Sequence, residues 1–125
     1  MKITTFNPQI VTKNPEPVLK TFETLGFEKR HELKGIGEKE VTGIRMKSPD
    51  GFYLDISVVG DIPVANDLVG IRMNVDDFEE AYNLLISQGF KNIYGDKTVD
   101  LKRSRSAMLI SPTGYGINLV KHIKE

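Results

Sequence analysis

Ser48-Pro49-Asp50-Gly51-Phe52 recurs 63 residues later as Ser111-Pro112-Thr113-Gly114-Tyr115. Gly26-Phe27 recurs at the same offset as Gly89-Phe90. The matched residues are turn punctuation at equivalent places in two similar hydrophobic patterns. A half-domain repeated in register builds its site between the copies, so the offset points to which residues line it.

Working outward from these turns, each half reads as strand, helix, then several strands. Phe6 to Thr12 forms a short strand. Lys13-Asn14-Pro15-Glu16-Pro17 opens a helix, because Pro is tolerated in a first turn and Asn is a good N-cap. Val18, Leu19, Phe22 and Leu25 give it an apolar stripe, and Gly26 suits the stop just past its end. Phe27 to Leu33 reads as a strand and Lys34 to Glu38 as a turn. Val41 to Lys47 alternates, and the Ser48–Gly51 turn leads into Phe52 to Val59. In the second half, Val69, Ile71, Met73 and Val75 alternate with Gly70, Arg72 and Asn74. Asp76-Asp77 caps a helix with Ala81, Tyr82, Leu84 and Leu85 on its apolar side, closed by Gly89. Phe90 to Tyr94, Ala107 to Ile110 and Tyr115 to Ile123 supply strands, while Asp96 to Ser104 is polar and unassigned. The fold class is therefore α+β, with two βαβββ modules in tandem over residues 1–60 and 68–125. Gly60 to Asp67 links them within one domain. Neither module buries both faces of its sheet alone, and the repeat supplies the partner.

At 125 residues the chain suits one compact domain. Its 17 basic and 17 acidic residues balance, so no global field draws it to nucleic acid or a membrane surface. The absence of cysteine excludes disulfides, thiol nucleophiles and thiolate metal sites. No apolar run approaches the roughly 20 residues a membrane span needs, and Met1 to Thr5 lacks a signal-peptide core. A cytoplasmic protein is the expectation.

The strand and helix order, the Gly-Phe after each helix and the Ser-Pro-x-Gly turn before each last strand resemble the vicinal oxygen chelate superfamily. It is also called the glyoxalase/bleomycin resistance/dioxygenase superfamily. The resemblance covers nearly the whole chain and is strongest over 69–90 and 111–120. It implies two modules whose sheets curl around a shared cavity, and it says little about reaction. In metal-dependent members each module gives one ligand from its first strand and one from its last. Carried onto this chain, those positions are Asn7, Asp55, Gly70 and Asn118. Glycine offers no side chain, and neutral amides are poor ligands for Zn, Ni, Fe or Mn. The expectation is a chain without the family metal and without a cofactor. Family tendency also implies a homodimer, and exposed sheet edges need cover.

Strand alternation then assigns faces. Ile71, Met73, Val75, Leu54, Ile56 and Val58 face the helices. The opposite face carries Gly70, Arg72 and Asn74, then Tyr53, Asp55 and Ser57, with Asn7, Gln9, Asn118 and Val120. In an ordinary antiparallel sheet such a face is solvated; in paired modules it lines a cleft. Arg72 either forks to a carboxylate or phosphate of a small ligand or pairs with Asp55. His31 and His122 are not repeat-equivalent and read as surface residues. Lys102-Arg103-Ser104-Arg105 reads as a solvated basic loop, and Asp76, Asp77, Glu79 and Glu80 as a helix-dipole complement. No P-loop, dinucleotide fingerprint, zinc-protease helix or nucleophile elbow is present. Three functions stay open, with binding favoured over catalysis. The first is metal-free binding of a small polar or anionic molecule. The second is an isomerase-, lyase- or dioxygenase-type enzyme with an unusual metal set, or with Asp55 as base and Tyr53 as acid. The third is a regulatory module with a vestigial cleft.

Overall fold

The computed structural model describes residues 1–34, 41–60, 66–101 and 103–123. Its elements are β1 (Ile3–Thr12), α1 (Pro15–Thr24), β2 (Glu28–Lys34), β3 (Val41–Lys47), β4 (Tyr53–Val59), β5 (Leu68–Val75), α2 (Phe78–Ser87), β6 (Lys91–Asn92), β7 (Val99–Leu101), β8 (Ser104–Ile110) and β9 (Gly116–His122). They form one mixed sheet in the order β2-β3-β4-β1-β5-β9-β8-β6, with β7 paired to β8. Each first strand runs parallel to its module's last strand, and the two first strands meet antiparallel at the centre.

The offset of the sequence repeat is also the offset of the pairing register. Gln9 opposite Asp55 in module one corresponds to Arg72 opposite Asn118 in module two. Arg45 opposite Asp55 corresponds to Met108 opposite Asn118. Pro8 pairs with Ile71, its own repeat-equivalent, so the pseudo-twofold axis passes between them.

The recurring turns have a physical cause. Gly51 and Gly114 take φ of 93° and 107°, where side chains are disfavoured. The buried Ser48 and Ser111 hydroxyls accept the N–H groups of Phe52 and Tyr115 at 3.0 and 3.1 Å. The turn proline packs on the glycine that ends the module's helix. A Cβ at Gly26 would meet Pro49 at 3.6 Å, and one at Gly89 would meet Pro112 at 3.0 Å. The two repeated motifs are therefore halves of one contact, which is why they share a spacing.

Both helices lie near the predicted bounds. The Asp77 carboxylate accepts the Glu80 N–H at 3.0 Å, an N-cap. Asn14 stands at the other N-cap position but does not cap with its side chain. The Thr12 hydroxyl instead accepts the Asn14 N–H at 3.1 Å. Val18, Leu19 and Phe22 pack on Ile44, Met46, Leu54 and Ile56, whereas Leu25 faces solvent. Ala81, Tyr82 and Leu85 pack in the second core, where Phe78 is also buried, and Leu84 is exposed. A four-residue apolar list on each helix thus overestimated the buried stripe by one residue at its flank.

Several strands differ from the sequence reading. The first begins at Ile3 because Lys2 and Asp76 exchange hydrogen bonds that extend its pairing. Phe90 to Tyr94 shrinks to Lys91–Asn92, since Tyr94 to Lys97 turns. The unassigned polar stretch contains β7. Ser104 and Arg105 belong to β8 rather than a loop, and Arg105 meets Glu79 at 3.5 Å and Asp100 at 3.6 Å. The expected turn residues 35–38, most of the linker (61–65) and Lys102 lie outside the described residues.

Candidate functional site

The helices cover one face of the sheet, so the strand residues that alternate with the core point to the other. The sheet curls around that face. His31 on β2 and His122 on β9 line a single cavity of about 140 Å³, together with Arg45, Asp55, Ser57 and Arg72. Beside it, Val11, Val59 and Leu68 pack with Val41, Met108 and Ile110. By strand alternation that apolar plug is on the same face and fills part of it, beside the polar end.

The polar end is organised around Asp55, which is buried. Arg45 donates Nε to Oδ1 at 2.9 Å and Nη2 to Oδ2 at 3.4 Å. Asn7 donates Nδ2 to Oδ2 at 3.0 Å. Both carboxylate oxygens are thus engaged. Buried Gln9 donates to the Ser57 hydroxyl at 2.8 Å, which fixes the neighbouring strand position.

Arg72 is held differently. Its Nε donates to Oδ1 of buried Asn74 at 3.2 Å. Among the described residues it forms no ion pair, and no buried side-chain nitrogen or oxygen lacks a partner. Its side chain lines the cavity. Burial pushes the guanidinium below its ordinary value, Asp55 offsets part of this, and Arg45 adds to it. Of the two readings of Arg72, the direct pairing with Asp55 does not form, because Arg45 holds that carboxylate.

The sequence-derived residues divide accordingly. Arg72, Asp55 and Ser57 line the cavity. Asn7, Gln9 and Asn74 brace its walls by hydrogen bonds. Asn118 is half-buried and opposite Arg72 in register. Tyr53 lies elsewhere, in an apolar groove with Phe6, Phe22, Phe27 and Phe52. The Arg45 and Lys47 cations stand 5.5 and 5.4 Å from its ring centroid. Arg45, His31 and His122 were missed as lining residues. The histidines are exposed, as the sequence suggested, but curling of the sheet brings them to one cavity. Arg45 was legible: with Ile44 and Met46 apolar, alternation in β3 sends Arg45 to the far face.

No protein-family model matches the sequence, and no curated protein matches it. Solved structures do. A variant of methylmalonyl-CoA epimerase from Streptomyces coelicolor, in complex with 2-nitronate-propionyl-CoA, superposes with a TM-score of 0.63 at 19% identity, covering 98% of this chain and 100% of that one. A glyoxalase/bleomycin resistance protein/dioxygenase superfamily member from Vibrio splendidus gives 0.57 at 16% identity, covering 96% and 99%. A variant of glyoxalase I from Zea mays gives 0.64 at 16% identity, covering 96% of this chain and 43% of that one. The chain has the vicinal oxygen chelate fold.

In a vicinal oxygen chelate fold the four positions Asn7, Asp55, Gly70 and Asn118 are those that the resemblance marks for metal ligands. Here a Cβ built on Gly70 would fall inside the Gly116 carbonyl of the paired strand β9. The position therefore has no room for any side chain. The remaining donors are two amides and a carboxylate already held by a guanidinium. Among the described residues no three His, Cys, Asp or Glu side chains gather as a metal set. This donor set does not fit a divalent cation, which requires anionic or imidazole ligands. No helix among the described residues is long and apolar enough to cross a membrane.

Proposed function

We propose that the chain, acting as one domain with the module division near residues 60 and 68, binds a small anionic molecule in the polar cavity without a metal. The observation that carries this reading is the pair of unequal arginines. Arg45 is paired directly with Asp55, whereas Arg72, partly desolvated, brings to the same space a fork that forms no ion pair among the described residues and that Asp55 compensates only in part. Guanidinium suits planar or tetrahedral anions. The cavity is smaller than the roughly 300–1,000 Å³ of drug-sized sites, so the ligand, or the part of it that enters, has few atoms.

Arg72→Ala tests this. A charge-assisted contact contributes about 1.5–3 kcal/mol, so the variant should bind sulfate or acetate roughly ten- to a hundredfold more weakly by calorimetry. Arg72→Lys should recover part of the loss, because ammonium lacks the fork. Unchanged affinity in Arg72→Ala would remove the site assignment.

The alternative is metal-free acid/base catalysis with Asp55 as base and Tyr53 as acid. Both Asp55 oxygens already accept hydrogen bonds, and Tyr53 opens to another groove. Binding is therefore the better reading. A regulatory module with a vestigial cleft would leave Arg72 without a ligand, and that too fails if anions bind.

We also propose that the protein is a homodimer working in the cytoplasm. The sheet edges give it little support: one edge, β2, bears the charged Glu28, Lys29, Arg30 and Glu32, and the other consists of the short strands β6 and β7 along β8. What supports association is exposed Phe6, Phe52 and Val69 around the Tyr53 groove. A native mass spectrum of protein purified without chelator should show twice the chain mass and no divalent metal. A monomer would count against the dimer, and bound Zn, Ni, Fe or Mn against the metal-free site.

A further inference from the structure

The cavity has two residues that neither the repeat nor the Arg72 site uses. His31 reaches it from β2 in module one, opposite Arg45 in register, and His122 from the end of β9 in module two. Both are exposed, so they stand at the mouth rather than in the floor. With neutral imidazoles the charges lining the cavity are Arg45, Arg72 and Asp55, a formal excess of one positive charge. That excess suits a monoanion. Protonation of both histidines raises it by two and adds one N–H donor on each ring.

We infer that His31 and His122 form a rim that selects compact doubly charged anions over singly charged ones, using the anion site proposed above as its floor. The inference rests on that reading. Arg72 takes one group of the ligand, and the imidazoles, arriving from opposite modules, take the outward-facing one. Other charges bear on the rim. His31 has the Lys29–Glu32 pair on its own strand and Arg45 across from it. His122 has Lys121 beside it, and it shares its outer side with Asp76, Asp77, Glu79 and Arg105. Of these, Arg105 is tied to Glu79 and Asp100. Imidazole is the side chain that changes charge across neutral pH, so affinity for a dianion of constant charge should follow it.

Sulfate is such a probe, since it stays doubly charged at both pH values used, and acetate is the singly charged comparison. Calorimetric titrations at low ionic strength, near pH 8 and near pH 6, should show sulfate affinity rising roughly tenfold on acidification while acetate rises less. In His31→Gln/His122→Gln, sulfate should bind with the same affinity at both pH values, and the sulfate-to-acetate ratio should fall toward one. In wild-type protein, sulfate should also shift the imidazole C–H resonances of both histidines, a readout that needs no variant. If wild type binds sulfate with no pH dependence, or the double variant keeps the wild-type rise, the rim is wrong and the Arg72 site stands. If wild type binds neither anion at either pH, the Arg72 site fails and the rim falls with it.

Discussion

Gly70→Ala should lose about 3 kcal/mol of stability or more. The cause is backbone against backbone. The new Cβ would occupy the space of the Gly116 carbonyl, and β9 cannot retreat freely because β8 pairs along its other side. At Gly116 itself the surroundings are also filled, with Met108 and Leu68 at 3.3 and 3.5 Å from a built Cβ. Gly60→Ala is the control: nothing among the described residues lies within 4 Å of a Cβ built there, and the change should stay within about 0.5 kcal/mol. Urea denaturation checks both. A Gly70→Ala protein as stable as wild type would show that β5 and β9 are not packed this closely. A metal site also could not then be called sterically closed at this position. By the same logic, introducing a histidine at Gly70 should not restore metal binding.

Arg45→Ala should be the most damaging change among the cavity side chains, at about 3 kcal/mol. It leaves the buried Asp55 carboxylate with the Asn7 amide as its hydrogen-bond donor among the described residues, and with Arg72 as a through-space charge that does not pair with it. Removing both charges is milder, because a buried pair offsets its own desolvation poorly. The double variant Arg45→Met/Asp55→Leu should therefore be more stable than Arg45→Ala alone. Chemical denaturation of the single and double variants gives the coupling directly. If the double variant loses the sum of the two single losses, the Arg45–Asp55 pair is not the organising contact of the cavity. Because this pair and Arg72 share a space, Arg45→Ala should also alter anion affinity, whereas Gly70→Ala should act through stability.

The architecture was legible in the sequence because its decisive residues are local. Ser48, Pro49 and Gly51 build a turn among themselves, and their copies at 111, 112 and 114 build another. Helix ends at Gly26 and Gly89 follow from the same punctuation. Strand alternation likewise carried Asp55, Ser57 and Arg72 to one face without knowledge of the partners. What escaped were long-range consequences. Whether Asp55 meets Arg72 or Arg45 depends on which strands are neighbours, and Arg45 was overlooked while β3 had no assigned face. His31 and His122 carry no periodic signal; only the curvature of the sheet makes them neighbours. Tyr53 shows the converse. It alternates correctly with Asp55, yet it sits at the start of β4, past the cavity and under two cations. The Asn14 position was legible, but its side chain does not cap, because the N3 residue, Pro17, has no N–H for it to accept.

The axis between Pro8 and Ile71 relates two halves that no longer carry the same chemistry. Gln9 is matched by Arg72, Asp55 by Asn118, and Arg45 by Met108. A receptacle with true twofold symmetry would accept an unsymmetrical guest in two poses of equal energy, related by a half-turn. Here the half-turn exchanges an ion pair for a thioether and an amide, and an arginine for a glutamine. The degeneracy is lifted, and under the proposed binding role one end of a guest would be told from the other by which module it meets. Duplication supplied the enclosure; divergence at these few paired positions gave it a direction.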